Sequence, residues 1–228
     1  MEQLESQFYS QALSTFNESD FTAAGFPNAQ LAIEQFQTIQ GDEATHLLAL
    51  QVRISIKRLI DSALTCMLAF SQETIKALGS TPIDTCKFDF TEVLTDVKTM
   101  ATVARIVEYV GVTAYLGAAN LISDPVLLTA AGSILTVEAR HQTILNVLNS
   151  GTAIPQAFDF AFTPSEVLAI AGGFISGCDL GVPANPPLTI TNNGTVTTGT
   201  LLTFSSPAIN GSTDVRRVGN TISRDDDF

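Results

Sequence analysis

The 228-residue chain holds two histidines, and each closes a Glu-x-x-His motif: Glu43-Ala44-Thr45-His46 and Glu138-Ala139-Arg140-His141. Both motifs lie in stretches whose apolar residues recur with helical spacing. Residues i and i+3 share one face of a helix, so each motif aims a carboxylate and an imidazole at one point. Glutamate and histidine on a buried face are costly unless they are paired or bind an ion. Two such pairs, with one further glutamate from each of two other helices, make the ligand set of a dinuclear iron or manganese site inside a four-helix bundle.

The rest of the chain supplies helices of the right number and order. Residues 1–16 read as a first helix, with Leu4, Phe8, Ala12, Leu13 and Phe16 on one face. A loop over 17–28 contains Gly25 and Pro27. A second helix starts near Ala29 and carries Glu43 and His46. Helical spacing continues through Val52 to Leu78, which would give a helix of about 75 Å at 1.5 Å per residue, so a break or an additional helix is expected there. A loop with Pro82 spans 79–90, and a third helix spans about Thr91 to Leu121. Ser123-Asp124-Pro125 restarts a fourth helix, which ends near Gly151. Thr163-Pro164-Ser165-Glu166 opens a shorter fifth helix that runs towards Ile175. Beyond Gly181 the chain turns rich in Pro, Thr, Asn and Gly. Residues 188–191, 195–197 and 201–204 read as short strands, and 205–228 as disordered.

An internal repeat selects the remaining ligands. Glu2 precedes Tyr9 by seven residues and Glu108 precedes Tyr115 by seven, and each such helix is followed by one with Glu-x-x-His. The chain therefore reads as two helical hairpins of one design. The candidate ligands are Glu2, Glu43, His46, Glu108, Glu138 and His141, with Glu5 as the alternative to Glu2 on nearly the same face. Four carboxylates and two imidazoles suit iron or manganese, while zinc favours fewer donors and more sulfur or nitrogen. Glu108 sits in the apolar run Ile106-Val107-Glu108-Tyr109-Val110, where an unpaired glutamate is expensive. Tyr9 and Tyr115 are candidates to hydrogen-bond ligands or to relay electrons; the simpler reading makes them core aromatics with a polar tip. Asp42 and Arg140 adjoin the motifs as candidate supports of the ligands, with the surface as the simpler placement.

Composition excludes other classes. A net charge of −12 offers no basic footprint for nucleic acid. The longest apolar run, Leu59 to Phe70, is interrupted by Asp61 and is too short to span a membrane. There is no phosphate-cradling glycine loop, no Cys-x-x-Cys, and no histidine left for a nucleophilic triad. The helical pattern begins at Glu2 without a cap or a signal peptide, so a natural start further upstream is expected. Sequons stand at Asn17, Asn193 and Asn210, and two of them share the polar tail, which favours a secreted glycoprotein.

From these residues the chain resembles the ferritin-like domain family of fungal stress-response and plant desiccation-related proteins. The resemblance is carried by Leu4-Glu5-Ser6-Gln7-Phe8-Tyr9, residues 20–26, Asp42 to His46, Gly111 to Ala119, and Ala130 to His141. It covers about residues 1–51 and 73–190. It implies an all-α, ferritin-like four-helix bundle over 1–180 and a short β-rich or disordered tail over 181–228. It also implies two divalent metal ions, and a secreted or cell-wall location with a signal peptide that this chain lacks. Residues 52–72 have no counterpart in that pattern; joining Gln51 to Glu73 restores it. The segment reads either as a retained in-frame intron or as a lineage-specific insertion. The family resemblance further implies a disulfide between Cys86 and Cys178, leaving Cys66 in the atypical segment. The function expected is redox chemistry with dioxygen or peroxide, peroxidase- or catalase-like if enzymatic. The alternative is a non-enzymatic protective or surface protein on the same scaffold. Iron storage fits less well, and the oligomeric state is left open.

Overall fold

The computed structural model describes residues 1–61, 86–197, 199–208 and 215–217. The chain divides into two compact units, Met1–Pro183 and Ala184–Phe228. The first unit contains α1 (Glu2–Thr15), α2 (Glu18–Ala23), α3 (Ala29–Asp61), α4 (Val97–Ala118), α5 (Pro125–Leu148) and α6 (Pro164–Ala171). The broadest contacts are α1 against α3 and α4 against α5, and the two hairpins meet through α1–α4 and α3–α5 contacts. The result is a closed four-helix bundle, as the sequence predicts.

The helix ends follow local chemistry. The Asp96 side chain accepts from the Thr99 N–H at 2.9 Å and fixes the start of α4 six residues later than the periodicity alone suggests. Asp124 accepts from the N–H groups of Val126 and Leu127, both at 2.9 Å, with Pro125 in the first turn of α5. Thr163 and Glu166 form the expected capping box on α6. The stretch read as a plain loop over 17–28 holds a helix instead. Asn17 and Asp20 cap each other reciprocally, and Phe21 of α2 is buried. The α3 helix runs unbroken to Asp61, 33 residues or about 50 Å. Cys66, residues 62–72 of the atypical segment, and the loop residues 79–85 with Pro82 lie outside the described residues.

The core is aromatic. Phe8 stands edge-on to Tyr9 and to Phe90, with ring centres 5.3 Å apart in each pair. Phe21 packs edge-on to Phe36 at 5.7 Å. Such edge-to-face contacts add about 0.5–1.5 kcal/mol each beyond the burial of area. At the far end of α4, Gly117 lets the returning chain lie directly on the helix. A Cβ there would come within 1.9 Å of the Phe162 carbonyl oxygen. The Phe162 N–H donates to the Thr113 carbonyl at 3.0 Å across the same contact.

A two-stranded antiparallel ladder joins the segment before α4 to the end of the unit, pairing β1 (Lys87–Phe88) with β2 (Ile175–Ser176). The Cys86–Cys178 disulfide flanks this ladder, with Cα atoms 4.7 Å apart. The second unit carries a three-stranded antiparallel sheet of β3 (Thr189–Ile190), β4 (Leu201–Ser205) and β5 (Val215–Arg217). The third of these strands falls where the sequence suggests disorder. It is short and carries two arginines, so its strand propensity is weak and pairing with β4 defines it. Among the described residues no helix is long and apolar enough to cross a membrane.

Candidate metal centre

The six candidate ligands come from four helices and meet inside the bundle. Glu2 lies on α1, Glu43 and His46 on α3, Glu108 on α4, Glu138 and His141 on α5. All are buried, with Glu43, Glu108 and Glu138 fully inaccessible. One donor atom each from Glu2, Glu43, His46 and Glu138 lies within 4.8 Å of the others, and the same holds for Glu43, Glu108, Glu138 and His141. The two groups share Glu43 and Glu138. Each therefore has one histidine and one glutamate of its own and two glutamates in common, a donor set that could hold metal ions.

Distances within each group suit a shared cation better than hydrogen bonding. His46 Nδ1 is 3.1 Å from Glu138, 3.3 Å from Glu43 and 3.4 Å from Glu2. One ring nitrogen cannot serve three acceptors at once, and Glu2 Oε2 and Glu138 Oε1 have no hydrogen bond of acceptable geometry. His141 Nδ1 is 2.9 Å from Glu43 and 3.2 Å from Glu108. The 2.9 Å contact is close, but its angle is poor and Glu43 Oε1 stays without a hydrogen bond. Donors about 2.1 Å from one octahedral ion sit about 3.0 Å apart, the spacing found here. Orphaned carboxylate oxygens converging at that spacing, with one imidazole per group, fit hard divalent ions such as iron or manganese.

The surrounding charges shift strongly. Burial raises Glu138 to about 9, only partly offset by the His46 ring 3.1 Å away and helped by Glu108, Glu43 and Glu2. Burial also pushes Glu43 up, but the close His141 and His46 rings outweigh it and bring its carboxyl down to about 2. Burial disfavours charge on both imidazoles, yet the carboxylates around them prevail. Glu138, Glu2 and Glu43 take His46 to about 12, and Glu108 and Glu43 take His141 to about 10. Without a metal the two imidazoliums therefore act as the cations of the site.

The two tyrosines bind ligands across the repeat. The Tyr9 hydroxyl of α1 donates to Glu108 Oε1 of α4 at 2.7 Å, and the Tyr115 hydroxyl of α4 donates to Glu2 Oε1 of α1. Each tyrosine holds the glutamate of the other hairpin. Asp42 is half-exposed and not merely a surface residue: its carboxylate lies 3.1 Å from His141 Nε2, the ring nitrogen that faces away from the cluster. A carboxylate behind a ligating histidine fixes the ring's orientation and tautomer. Arg140 is exposed. Glu5, read as a rival to Glu2, is buried beside it: 0% of Glu5 is exposed and neither of its oxygens has a partner. Burial, then Glu138 and Glu2, raises its carboxyl well above the usual range. Both residues thus face the bundle interior, as their i,i+3 spacing allows. Of the sequons, Asn17 is exposed and caps α2, Asn193 is exposed, and Asn210 lies outside the described residues.

No curated protein matches the chain. A family model described as a ferritin-like domain matches residues 1–70 and 65–150, which include all six candidate ligands and both tyrosines. With a four-helix bundle and a buried cluster of glutamate and histidine consistent with metal binding, the chain belongs to the ferritin-like domain family.

Proposed function

We propose that this protein holds two iron or manganese ions through Glu2, Glu43, His46, Glu108, Glu138 and His141, and uses them in redox chemistry with dioxygen or peroxide. The observation that carries the reading is the pair of four-donor groups sharing Glu43 and Glu138. A bound pair of such ions would supply the electrons for reducing an oxidant. The chain's own residues set the conditions. Glu43 and Glu138 link the two halves. His46 and His141 offer Nδ1 to the interior, and Asp42 orients the His141 ring from behind. Tyr9 and Tyr115 donate to one oxygen each of Glu108 and Glu2 and keep a phenolic proton beside each of them. Burial of every ligand excludes bulk water. The Cys86–Cys178 disulfide suits an oxidising compartment, in keeping with a secreted or cell-wall protein that meets oxidative or drying stress.

The test is metal content with turnover. Chelator-treated protein titrated with Mn(II) or anaerobic Fe(II) should take up two ions per chain, and the loaded protein should consume peroxide faster than the metal-free form. Uptake of no ion at micromolar metal would end this reading. The second reading, a non-enzymatic protective scaffold, is favoured by one observation: His46 and His141 pair with the surrounding carboxylates at 2.9–3.4 Å and can offset two of the buried charges without any metal. It predicts unchanged melting after chelation.

A further inference from the structure

The two hairpins match at the six candidate ligands and the two tyrosines that hold them, but differ beside them. Along α1 the pattern is Glu2, Glu5, Tyr9; along α4 it is Glu108, Gly111, Tyr115. Glu5 and Gly111 occupy equivalent positions of the repeat, and they face each other's helix. A Cβ at position 111 would lie 2.9 Å from Glu5 Oε1 and 2.5 Å from Glu138 Oε2. The missing side chain of Gly111 thus leaves room beside both carboxylates, with Glu5 just outside the two four-donor groups. Both oxygens of Glu5 and both of Glu138 lack a hydrogen-bond partner. A fully buried carboxylate with no partner is among the costliest groups a core can hold. Here the cost is placed beside a bridging ligand, with a glycine making room for it.

We propose that Glu5 is a fifth carboxylate of the metal centre, supplying an oxygen donor next to Glu138 and making the two ion positions unequal. This rests on the dinuclear reading above. Four carboxylates balance two divalent ions. A fifth leaves one negative charge over and favours a higher total metal charge, so it selects ions that accept oxygen donors and can be oxidised, manganese or iron, over zinc. The asymmetry is local, since Glu108 has only Gly111 where Glu2 has Glu5.

The experiment uses the full chain, stripped of metal and titrated with Co(II) and with Mn(II), as wild type and as Glu5→Gln. Calorimetry reads stoichiometry and affinity, the cobalt visible bands read coordination, and melting is followed with and without metal. Wild type should bind two ions with separable affinities. Glu5→Gln should lose at least tenfold in affinity for one of them and change the cobalt bands. Without metal it should melt no lower than wild type, because glutamine keeps the shape and removes a carboxyl that its neighbours repel, while the gain in Tm on adding metal shrinks. Glu5→Asp, which keeps the charge but withdraws it by one methylene, should fall between the two and carries the same test if Glu5→Gln does not fold. Unchanged affinities and an unchanged cobalt spectrum in these variants overturn the assignment of Glu5 and leave the six-residue centre standing. Wild-type protein that takes up no ion overturns both.

Discussion

Replacing Tyr9 by phenylalanine isolates one hydrogen bond at the centre of the bundle. The Tyr9 hydroxyl lies 2.7 Å from Glu108 Oε1, and both residues are 0% exposed. Burial, reinforced by the Glu108 charge, holds the phenol well above its ordinary range, so it stays a donor at any working pH. Phenylalanine keeps the ring against Phe8 and Phe36 and opens no cavity larger than the lost oxygen. What remains is a buried Glu108 oxygen without its donor, while the other oxygen keeps His141 at 3.2 Å. A hydrogen bond to a charged group contributes about 1.5–3 kcal/mol. For a protein of this size each kcal/mol moves Tm by about 2–4 °C, so the metal-free variant should melt about 3–12 °C below wild type. Tyr115→Phe, which frees Glu2 at a half-buried position, should cost less. The assay is helical circular dichroism against temperature, in chelator. Both variants melting within about 1 °C of wild type would refute the reasoning, because a fully buried bond to a carboxylate cannot be that weak.

Other outcomes follow from the same coordinates. Gly117→Ala drives a methyl group into the Phe162 carbonyl, which is backbone and cannot swing aside; it should cost at least about 1–3 kcal/mol, read by urea denaturation. Cys178→Ser opens a cross-link between residues 92 apart in sequence, worth up to about 4–5 kcal/mol in the chain-entropy picture, and non-reducing peptide mapping of wild type should show the Cys86–Cys178 pair joined. The pH profile of the metal-free protein has a definite sign. His46 and His141 rise from 6.5 to about 12 and about 10, so their contribution is complete below pH 6.5 and is lost as pH climbs through 10 and then 12. Glu138 rises from 4.5 to about 9, so it also costs stability as pH climbs from 4.5 to 9. Glu43, lowered from 4.5 to about 2, takes stability away as pH falls through that range. Melting temperature should therefore peak near pH 4.5 and decline more steeply above 6.5, where the histidines add to the loss; a flat profile from pH 6 to 10 would contradict these assignments.

Most of the centre was legible because helical spacing converts sequence into geometry within one element. Glu43 with His46, and Glu138 with His141, each sit on one face, and the Glu2–Tyr9 and Glu108–Tyr115 spacings mark two equivalent helices. What lay between elements was not legible. That Tyr9 serves Glu108 and Tyr115 serves Glu2 depends on how α1 and α4 cross, and no spacing within either helix encodes it. Asp42 follows the same logic. One residue from Glu43 it turns about 100° away, which reads as surface, yet the His141 ring of α5 meets it there. The α2 helix was missed for a local reason: Asn17 and Asp20 form a capping box from residues that also mark turns, beside Gly25 and Pro27.

Glu5 shows how a correct pattern can still mislead. An acidic residue in a first turn is ordinarily a solvated partner of the helix dipole, and with Glu2 three residues away one of the two seemed redundant. The i,i+3 spacing that made them rivals also places both on the inward face. What the repeat adds is the glycine. An extra carboxylate on α1 requires room on α4, and Gly111 stands at the equivalent position, with the space of its absent side chain bounded by Glu5 and Glu138. A duplicated bundle that kept perfect symmetry would have two equal ion positions and four carboxylates. The pair Glu5 and Gly111 departs from that symmetry beside Glu138. Asp42, on α3 of the same hairpin as Glu5, breaks it a second time: it stands behind His141, and the equivalent residue before Glu138 is Val137. Both departures fall next to candidate ligands: Glu5 and Gly111 near Glu138, and Asp42 against His141.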